Sequence, residues 1–378
     1  MAIEHLAAEL ERLRAAGLLR EPPVSAFDEN PGLNCASNDY LGYARDVSRE
    51  TSLGAGASRL IYGTAQAHLE LEARLAAWVN LESALLFSSG YAANLGVLQA
   101  LAGPGDVILS DALNHASIID GCRLSRAEVR IVPHLSIADY AAELHAVRDR
   151  RCWVVTESFF SMDGDGPDLS ALRALTDEHG AAALVVDEAH ALGVFGEAGS
   201  GLCSAAGVRP DVLVGTLGKA LGSSGAFVAG TSSLRTYLWN RARSLVFSTA
   251  TSPAVAQATL ETLERCITDT AGRACLLQRA QQLTHTLRCA GVPLPEQHLA
   301  GPIVPVIFGS NQAALSAAAR LAEHGFLAQA IRPPTVPKGT ARLRITLHPG
   351  LTAAQVEQLG KLLSEQWKQS SSSEPELT

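Results

Sequence analysis

Short apolar runs alternate with longer amphipathic stretches through the first two thirds of the chain. Six of these runs predict strands, at 84–87, 106–109, 153–156, 183–186, 212–214 and 226–229. The hydrophobicity of each run is nearly continuous, which is typical of parallel strands covered by helices on both faces. The pattern therefore predicts a large α/β domain with a mostly parallel sheet, and the apolar spacing over 66–79 predicts one of its helices.

The two ends of the chain carry different patterns. Leucines at near-helical spacing between residues 6 and 18 predict an N-terminal helix. The later elements are predicted strands at 303–307 and 342–347 and a predicted helix at 311–324. Thr352 and Gln355 have the spacing of a capping box for a last helix. The predicted domains are an N-terminal arm over 1–36, the large domain over 37–265, a small α/β domain over 266–369 and a disordered serine-rich tail over 370–378.

Composition disfavours several classes of protein. The 378 residues are 47% hydrophobic and 18% charged, which is typical of a globular enzyme and not of a disordered protein. The formal net charge of −8 disfavours a general nucleic-acid binder, and no apolar run approaches the roughly 20 residues of a membrane span. The first residues lack the basic start and apolar core of a signal peptide, and the seven cysteines are scattered. We therefore expect a cytoplasmic protein with reduced thiols, no metal site and no membrane or nucleic-acid partner.

Lysine is rare in this chain, and one lysine occupies an unusual position. Lys219 lies in a glycine-rich stretch, 215–225, directly after a predicted strand. The other lysines, Lys338, Lys361 and Lys368, are all near the C-terminus, and arginine supplies almost all of the remaining positive charge. Lysine can lose its proton in a protein, whereas arginine cannot. Lys219 is therefore the first candidate for covalent chemistry.

A carboxylate follows the wholly apolar strand 183–186, and a charge in that position requires a partner. Asp187 begins the sequence Asp-Glu-Ala-His, which ends at His190. One interpretation is the acidic box of a nucleotide-hydrolysing enzyme. The other is a carboxylate that pairs with the protonated ring nitrogen of a pyridoxal cofactor, with His190 near the phenolic oxygen of the ring.

A phosphate-binding loop separates these two interpretations, because nucleotide hydrolysis of this kind needs the sequence G-x-x-x-x-G-K-[ST]. The Gly-Lys pairs of this chain, at 218–219 and 360–361, are followed by alanine and leucine. The glycines at 54 and 56 likewise lack the third glycine and the helix start of a dinucleotide-binding fold. The sequence therefore favours the pyridoxal interpretation.

Other strand ends carry weaker candidates. Gly90 and Tyr91 open a helix whose free N–H groups suit a phosphate, although a tight strand-to-helix turn would use the same residues. His115 lies beyond another strand end, where a lone histidine is also an ordinary helix or surface residue. Ser161 lies in the acidic turn 157–166, whose Asp-Gly pairs favour turn formation. Position alone leaves both interpretations open for each of these residues.

The order of the motifs is more specific than any one of them. Asp187-x-x-His190 is followed about thirty residues later by Thr216-x-x-Lys219. This order resembles the cofactor site of the fold-type-I, aspartate-aminotransferase-like, pyridoxal-phosphate transferases. More narrowly, the chain resembles the α-oxoamine synthases, which condense an amino acid with an acyl thioester and release CO₂. The resemblance runs from residue 37 to residue 344 and implies pyridoxal 5′-phosphate as cofactor, a sheet of the seven-stranded type, and a homodimer with a shared active site.

The resemblance also implies a role for each matching residue. Lys219 would bind the cofactor covalently, Asp187 would pair with its ring nitrogen, and His115 would stack on the ring. The other implied cofactor contacts are His190 and Ser161 at the phenolic oxygen, and Gly90, Tyr91 and Thr216 at the phosphate, with Ser248 or Thr249 of the partner subunit. The implied substrate contacts are Arg344 and Asn38 at the amino-acid carboxylate, and Arg20 and Arg332 near the acyl-donor entrance.

The stretch 331–344 most resembles the family members that join L-alanine to a pimeloyl thioester in biotin biosynthesis. Sister reactions, in which glycine reacts with acetyl-, succinyl- or a longer acyl-CoA, are alternatives because the stretch 58–64 resembles those members. A catalytically silent binding protein with the pyridoxal fold is a further alternative. The presence of both Lys219 and Asp187 disfavours it.

Overall fold

A computed structural model describes residues 14–17, 41, 54–61 and 63–371. Arg20, Asn38 and most of the predicted N-terminal helix lie outside these residues. The described residues form two compact units, a large one over 38–161 and Asp165–Ala274 and a small one that contains Met162–Gly164 and the chain from Cys275 onward. No helix in the described part of the chain is both long and apolar enough to span a membrane.

The large unit alternates strands with helices, as the apolar pattern predicts. Its strands are β1 (Ser83–Phe87), β2 (Val107–Asp111), β3 (Glu128–Val132), β4 (Cys152–Glu157), β5 (Ala182–Asp187), β6 (Val212–Thr216) and β7 (Ala226–Gly230). Its helices are α1 (Gln66–Trp78), α2 (Gly90–Leu101), α3 (Ala116–Ser125), α4 (Ile137–Ala146), α5 (Leu169–His179), α6 (Leu202–Ala205), α7 (Ser232–Arg241), α8 (Arg243–Val246) and α9 (Pro253–Thr268). The six predicted strands are all present, with bounds that differ by one or two residues.

The seven strands form one sheet in the order β1-β7-β6-β5-β4-β2-β3. All neighbours pair in parallel except β7, which runs antiparallel to both β1 and β6. The predicted mostly parallel sheet is therefore confirmed. The apolar pattern does not predict β3, because this edge strand alternates charged with apolar residues and leaves Ile131 exposed.

Two hydrophobic clusters cover the two faces of the sheet, because successive residues of a strand point to opposite faces. Ile108 packs in one cluster with residues of α2 and α3, whereas Val107 and Leu109 pack in the other cluster with residues of α4 and α5. The strands β4 and β5 are divided in the same way, with Val155 and Val185 in the first cluster and Val154, Leu184 and Val186 in the second. Burial on both faces explains the continuous apolar runs and favours the strand ends as places for polar side chains.

The small unit contains a three-stranded antiparallel sheet in the order β8-β10-β9. Its elements are α10 (Thr270–Cys289) from Cys275 onward, β8 (Ile303–Gly309), α11 (Asn311–Glu323), β9 (Gln329–Ile331), β10 (Ala341–Thr346) and α12 (Ala353–Ser371). The predicted capping box is present, since the Thr352 amide donates to Gln355 Oε1 at 2.8 Å and the Gln355 amide donates to Thr352 Oγ1 at 3.2 Å. The three-residue strand β9 is too short to produce a pattern in the sequence.

The end of the last helix differs from the prediction of a disordered tail over 370–378. The helix α12 includes Ser370 and Ser371. The hydroxyl of Ser370 donates to the carbonyl of Trp367 at 2.8 Å, a contact within the last turn of this helix. Residues 372–378 lie outside the described residues.

An ion-pair cluster links several elements of the large unit. Glu72 of α1 is 4% exposed, and its Oε1 accepts from Arg59 Nη1 at 2.9 Å and from the Leu86 amide at 3.0 Å. Its Oε2 accepts from Arg235 Nη2 at 2.9 Å. The guanidinium carbons of the two arginines lie 5.3 and 5.5 Å from the centroid of the Trp239 ring, within the range of cation–π attraction. One carboxylate therefore holds together α1, β1, α7 and the segment around Arg59.

We expect Glu72→Gln to lower the free energy of unfolding by about 3–5 kcal/mol, because the change leaves two guanidinium groups without their buried carboxylate. Urea denaturation followed by circular dichroism measures this difference. Glu70→Gln is the matched control, since Glu70 lies on the same helix and its hydrogen bond to Gln66 is exposed. Equal unfolding midpoints for the two variants would contradict the role assigned to Glu72.

Candidate active site

Polar side chains from four parallel strands lie at one edge of the sheet in the large unit. His115 follows β2, Glu157 ends β4, Asp187 ends β5, and Lys219 follows β6. The carboxyl ends of parallel strands meet at the same edge, where open α/β sheets bind their ligands. Glu157 and Asp187 are direct neighbours in the pairing of β4 with β5. The fold thus brings together residues that are as far apart in the sequence as His115 and Lys219.

The predicted lysine lies against a predicted histidine. Lys219 Nζ is 2.9 Å from His190 Nε2, and His190 is buried. Asp187 is 7% exposed; its Oδ2 accepts from Asn94 Nδ2 at 2.7 Å and its Oδ1 accepts from the Ala189 amide at 2.8 Å. The two donors hold the carboxylate in a fixed orientation at the end of an apolar strand.

Asn94 connects Asp187 to His115 through a chain of hydrogen bonds. Its Nδ2 also donates to Ser117 Oγ at 2.9 Å, and that oxygen lies 2.8 Å from His115 Nδ1. The Ser117 amide donates to the same Nδ1 at 3.2 Å. Because Nδ1 accepts from a backbone amide, we infer that the proton of the neutral ring is on Nε2.

Electrostatics favour the neutral ring of His115. Burial lowers its pKa, the charge of Asp187 opposes that shift, and the charge of Lys219 adds to it. The His115 amide donates to Glu157 Oε1 at 2.7 Å. Burial, and next the negative charge of Asp187, raise the pKa of Glu157, and Lys219 partly offsets this shift. A carboxyl group held toward its neutral form therefore lies directly beside the carboxylate of Asp187.

The start of α2 and the Thr216 hydroxyl form a small cradle. Ser89 caps the helix, since its Oγ accepts from the Ala92 amide at 3.1 Å, and the first N–H groups of a helix have no partner within it. A Cβ atom added at Gly90 would lie 4.0 Å from Thr216 Oγ1, and one added at Gly218 would lie 3.9 Å from it. Both glycines therefore leave open the space beside the hydroxyl, at a helix end that attracts anions.

The other predicted residues of the large unit lie near these groups or in neighbouring turns. Tyr91 donates to Asp120, and its ring meets that of His115 edge-on at a centroid distance of 6.5 Å. Ser161 lies in the turn after β4. Ser248 and Thr249 line a small cavity together with Ser88, and Thr249 forms a β-bridge with Ser58.

The predicted substrate residues of the small unit are Arg332 and Arg344. Arg344 lies in β10, between Pro305 of β8 and Gln329 of β9. The alternating residues Arg342, Arg344 and Thr346 of this strand are all buried, so this face of the strand is not a solvated one. The Nη1 of Arg332 donates to the Gly17 carbonyl. Arg20 and Asn38 lie outside the described residues.

Sequence reasoning missed Asn94, Ser117 and Glu157. Glu157 carries the same signal as Asp187, an acid at the end of an apolar strand, and could have been found in that way. Asn94 and Ser117 lie within helices, where an isolated polar residue gives no indication of a site. Their role depends on contacts that only the folded chain provides.

Comparison with known proteins identifies the family. A model of the aminotransferase class I and II family matches residues 30–363. The chain belongs to that family. It is 47% identical over 375 residues to an 8-amino-7-oxononanoate synthase of Anaeromyxobacter dehalogenans strain 2CP-1, with 94% of each chain covered.

Solved structures that are similar to this chain share its fold. Sphingomonas wittichii serine palmitoyltransferase is 31% identical with a TM-score of 0.89, and each chain is covered to 98%. A serine palmitoyltransferase from S. paucimobilis, solved with a bound PLP–myriocin conjugate, is 27% identical with a TM-score of 0.87 and the same coverage. The predicted fold-type-I architecture is therefore confirmed.

The charges around His115 predict the direction of two pKa changes. In the protein without added ligand, Lys219→Met is expected to raise the pKa of His115, because the ammonium group contributes to its low value. Asp187→Asn is expected to lower it, because the carboxylate opposes the shift. An NMR pH titration of the His115 ring measures both changes, and Lys361→Met, which removes an exposed ammonium paired with Glu357, is the control. Shifts of the same sign in the two variants would contradict this arrangement of charges.

Proposed function

We propose that this protein condenses L-alanine with a pimeloyl thioester to form 8-amino-7-oxononanoate, CO₂ and free thiol, in the cytoplasm. The protein is a PLP-dependent acyltransferase of the 8-amino-7-oxononanoate synthase type, which serves biotin biosynthesis. The observation that carries the proposal is the 2.9 Å contact between Lys219 Nζ and His190 Nε2 at the strand edge that also holds Asp187. A lysine for covalent attachment and a buried carboxylate for the ring nitrogen are what the chemistry of pyridoxal 5′-phosphate requires.

The residues at this edge fit pyridoxal 5′-phosphate. The space that a side chain at position 90 or 218 would occupy suits the phosphate, with Thr216, Gly90 and Tyr91 as its binding residues. We assign Asp187 to the ring nitrogen and Lys219 to covalent attachment. The remaining assignments are His115 at the face of the ring, and His190 and Ser161 at the phenolic oxygen.

Bound PLP withdraws electrons from the α-carbon of the amino acid, so that a new carbon–carbon bond can form there. Asp187 holds a proton on the ring nitrogen, because a charge-assisted hydrogen bond in a buried site favours the ionised partners. Lys219 Nζ, in its neutral form, accepts the α-proton of the amino acid. His190 Nε2 orients that amine from 2.9 Å. The neutral ring of His115 adds no positive charge that would compete with the protonated ring nitrogen for Asp187.

The substrate assignments rest on the family resemblance. We assign Arg344 to the carboxylate of the amino acid, because a guanidinium group can bind a carboxylate through two parallel hydrogen bonds. That binding would fix which bond of the α-carbon is broken. Asn38 is assigned to the same carboxylate, and Arg20 and Arg332 are assigned to the acyl-donor entrance.

We further propose a homodimer in which Ser248 or Thr249 of the partner subunit helps to bind the phosphate. Phe247, the residue before this pair, is 73% exposed, and Ile61 is 78% exposed. The β-bridge between Ser58 and Thr249 connects the segments that carry these two side chains. Large exposed apolar side chains on neighbouring segments are typical of a surface that another protein chain covers.

The reaction is tested by free-thiol release across a matrix of amino acids and acyl donors. We expect turnover with L-alanine and pimeloyl-CoA or a pimeloyl-carrier protein, and loss of about 10²–10⁴-fold in Lys219→Ala because its base is removed. The visible absorbance of the bound cofactor should change in Lys219→Ala and persist in Lys361→Ala.

Activity with glycine alone would contradict the proposal and favour a glycine C-acetyltransferase or 5-aminolevulinate synthase reaction. Activity with serine and palmitoyl-CoA would favour the serine palmitoyltransferase reaction, which the structural likeness to that enzyme makes the second candidate.

The shared site is tested by mixing two inactive variants. One carries Lys219→Ala, and the other carries Ser248→Ala with Thr249→Val. In a hybrid dimer, one site would receive Lys219 and an intact 248–249 segment from different subunits, so that about a quarter of all sites should recover after random exchange. No recovery in a verified mixed dimer would show that the segment acts within its own subunit.

A further inference from the structure

Three charged side chains at or just after the ends of β2, β3 and β4 contact one another in the large unit. Asp111 is the last residue of β2, His134 follows β3, and Asp165 lies in the turn after β4. His134 Nδ1 is 2.7 Å from Asp111 Oδ1, and its Nε2 is 3.3 Å from Asp165 Oδ2. Both nitrogens of one imidazole therefore face carboxylates, which is the arrangement of a protonated histidine.

The two carboxylates differ in how far they depend on His134. Asp111 Oδ1 also accepts from the Leu113 amide at 2.8 Å, and its Oδ2 accepts from the Leu135 amide at 2.9 Å. Asp165 is buried, and its Oδ1 has no hydrogen-bond partner among the described residues. Without His134, a buried carboxylate would lose its cationic partner, and that loss carries a large desolvation cost.

The charge on His134 is stable at neutral pH. Burial lowers its pKa, but the hydrogen bonds and negative charges of Asp111 and Asp165 outweigh burial and raise the pKa to about 9. These two carboxylates are the charged groups that act on the imidazole within the described residues. The ring of Phe160 packs edge-on against His134 at a centroid distance of 4.5 Å and adds no charge.

Each carboxylate leads to a different part of the candidate site. The Leu113 amide that Asp111 holds lies two residues before His115. The carbonyl of Asp165 accepts from the Phe160 amide at 2.8 Å and so closes the turn that contains Ser161. The imidazolium therefore ties the segment of His115 to the turn of Ser161.

We propose that His134 is a positioning residue that fixes His115 and Ser161 for the reaction by bridging Asp111 and Asp165. The inference rests on the proposed function for its kinetic consequences, but the positions of the two segments are measurable without turnover. Neither His134 nor its two partners touches the reacting atoms in this assignment.

The test compares the PLP-loaded variants His134→Gln, His134→Arg and His145→Gln with the wild-type protein. In His134→Gln, kcat should fall roughly 10- to 100-fold, because a small displacement of catalytic groups has an effect of that size, while KM for the acyl thioester should not change. His134→Arg should restore much of the lost rate, because it keeps a cation between the carboxylates. His145→Gln is the control, because His145 is an exposed histidine on α4.

Two readouts do not require condensation. The pH midpoint of the visible absorbance of bound PLP should shift in His134→Gln, since Ser161 is assigned to the phenolic oxygen, and NMR signals of the His115 ring should move. If thiol release fails in the wild-type protein while these shifts appear, the proposed reaction is wrong and the positioning role stands. If His134→Gln lowers thermal stability but leaves kcat, the absorbance midpoint and the His115 signals unchanged, the residue is merely structural and the inference is overturned.

A pH series supplies a further check. The folded-state pKa of about 9 is above the ordinary value of 6.5, so His134 stabilises the fold fully below about pH 6.5 and loses this effect as pH rises through 9. The urea midpoint of wild type should exceed that of His134→Gln most at low pH, and the gap should shrink toward pH 9. A gap that does not change with pH would contradict a protonated His134 between the two carboxylates and would overturn the inference.

If His134→Gln does not fold, Asp165→Asn serves in its place, and unchanged absorbance and kcat in that variant would also overturn the inference.

Discussion

The accumulation of negative charge at the carboxyl edge of the sheet is the constraint on which the candidate site depends. Asp111, Glu157 and Asp187 end three neighbouring strands, and all three are buried. Carboxylates this close cannot all remain ionised without partners. Asp111 has backbone donors and His134, whereas Glu157 has a raised pKa that favours its neutral form. This division leaves Asp187 as the carboxylate that suits a protonated ring nitrogen.

Much of this arrangement could be predicted from the sequence, because it follows from burial on both faces of the sheet. The continuous apolar runs predict the central strands, and the first polar residue after such a run is necessarily at the edge where ligands bind. Asp187 was found in this way, whereas His190 was found from its spacing to Asp187 and Lys219 from the rarity of lysine and its place among glycines. The edge strand β3 was missed because it pairs with a strand on one side only and because its sequence mixes charged with apolar residues.

The supporting contacts could not be predicted, because they depend on which helices meet at the edge. Asn94 lies inside α2 and Ser117 inside α3, yet they join Asp187 to His115 through three short hydrogen bonds. The acidic turn after β4 gives a similar lesson. Its Asp-Gly pairs predict a turn, but Asp165 also faces His134, and in the small unit Asp163 pairs with Arg342 at 2.5 Å. Asp163 and Asp165 therefore form ion pairs in addition to the turn, whereas the sequence pattern indicated only the turn.

The site explains how the chain can resemble two enzymes that differ in substrate. The roles proposed for Asp187 and Lys219 are electron withdrawal and proton transfer, which do not depend on which amino acid or acyl donor reacts. A TM-score of 0.89 to a serine palmitoyltransferase reflects a common scaffold. The 47% identity to an 8-amino-7-oxononanoate synthase extends over 94% of both chains and so includes residues other than Asp187 and Lys219. Because substrate choice depends on those other residues, sequence identity is the better guide to the reaction, and it supports that of the 8-amino-7-oxononanoate synthases.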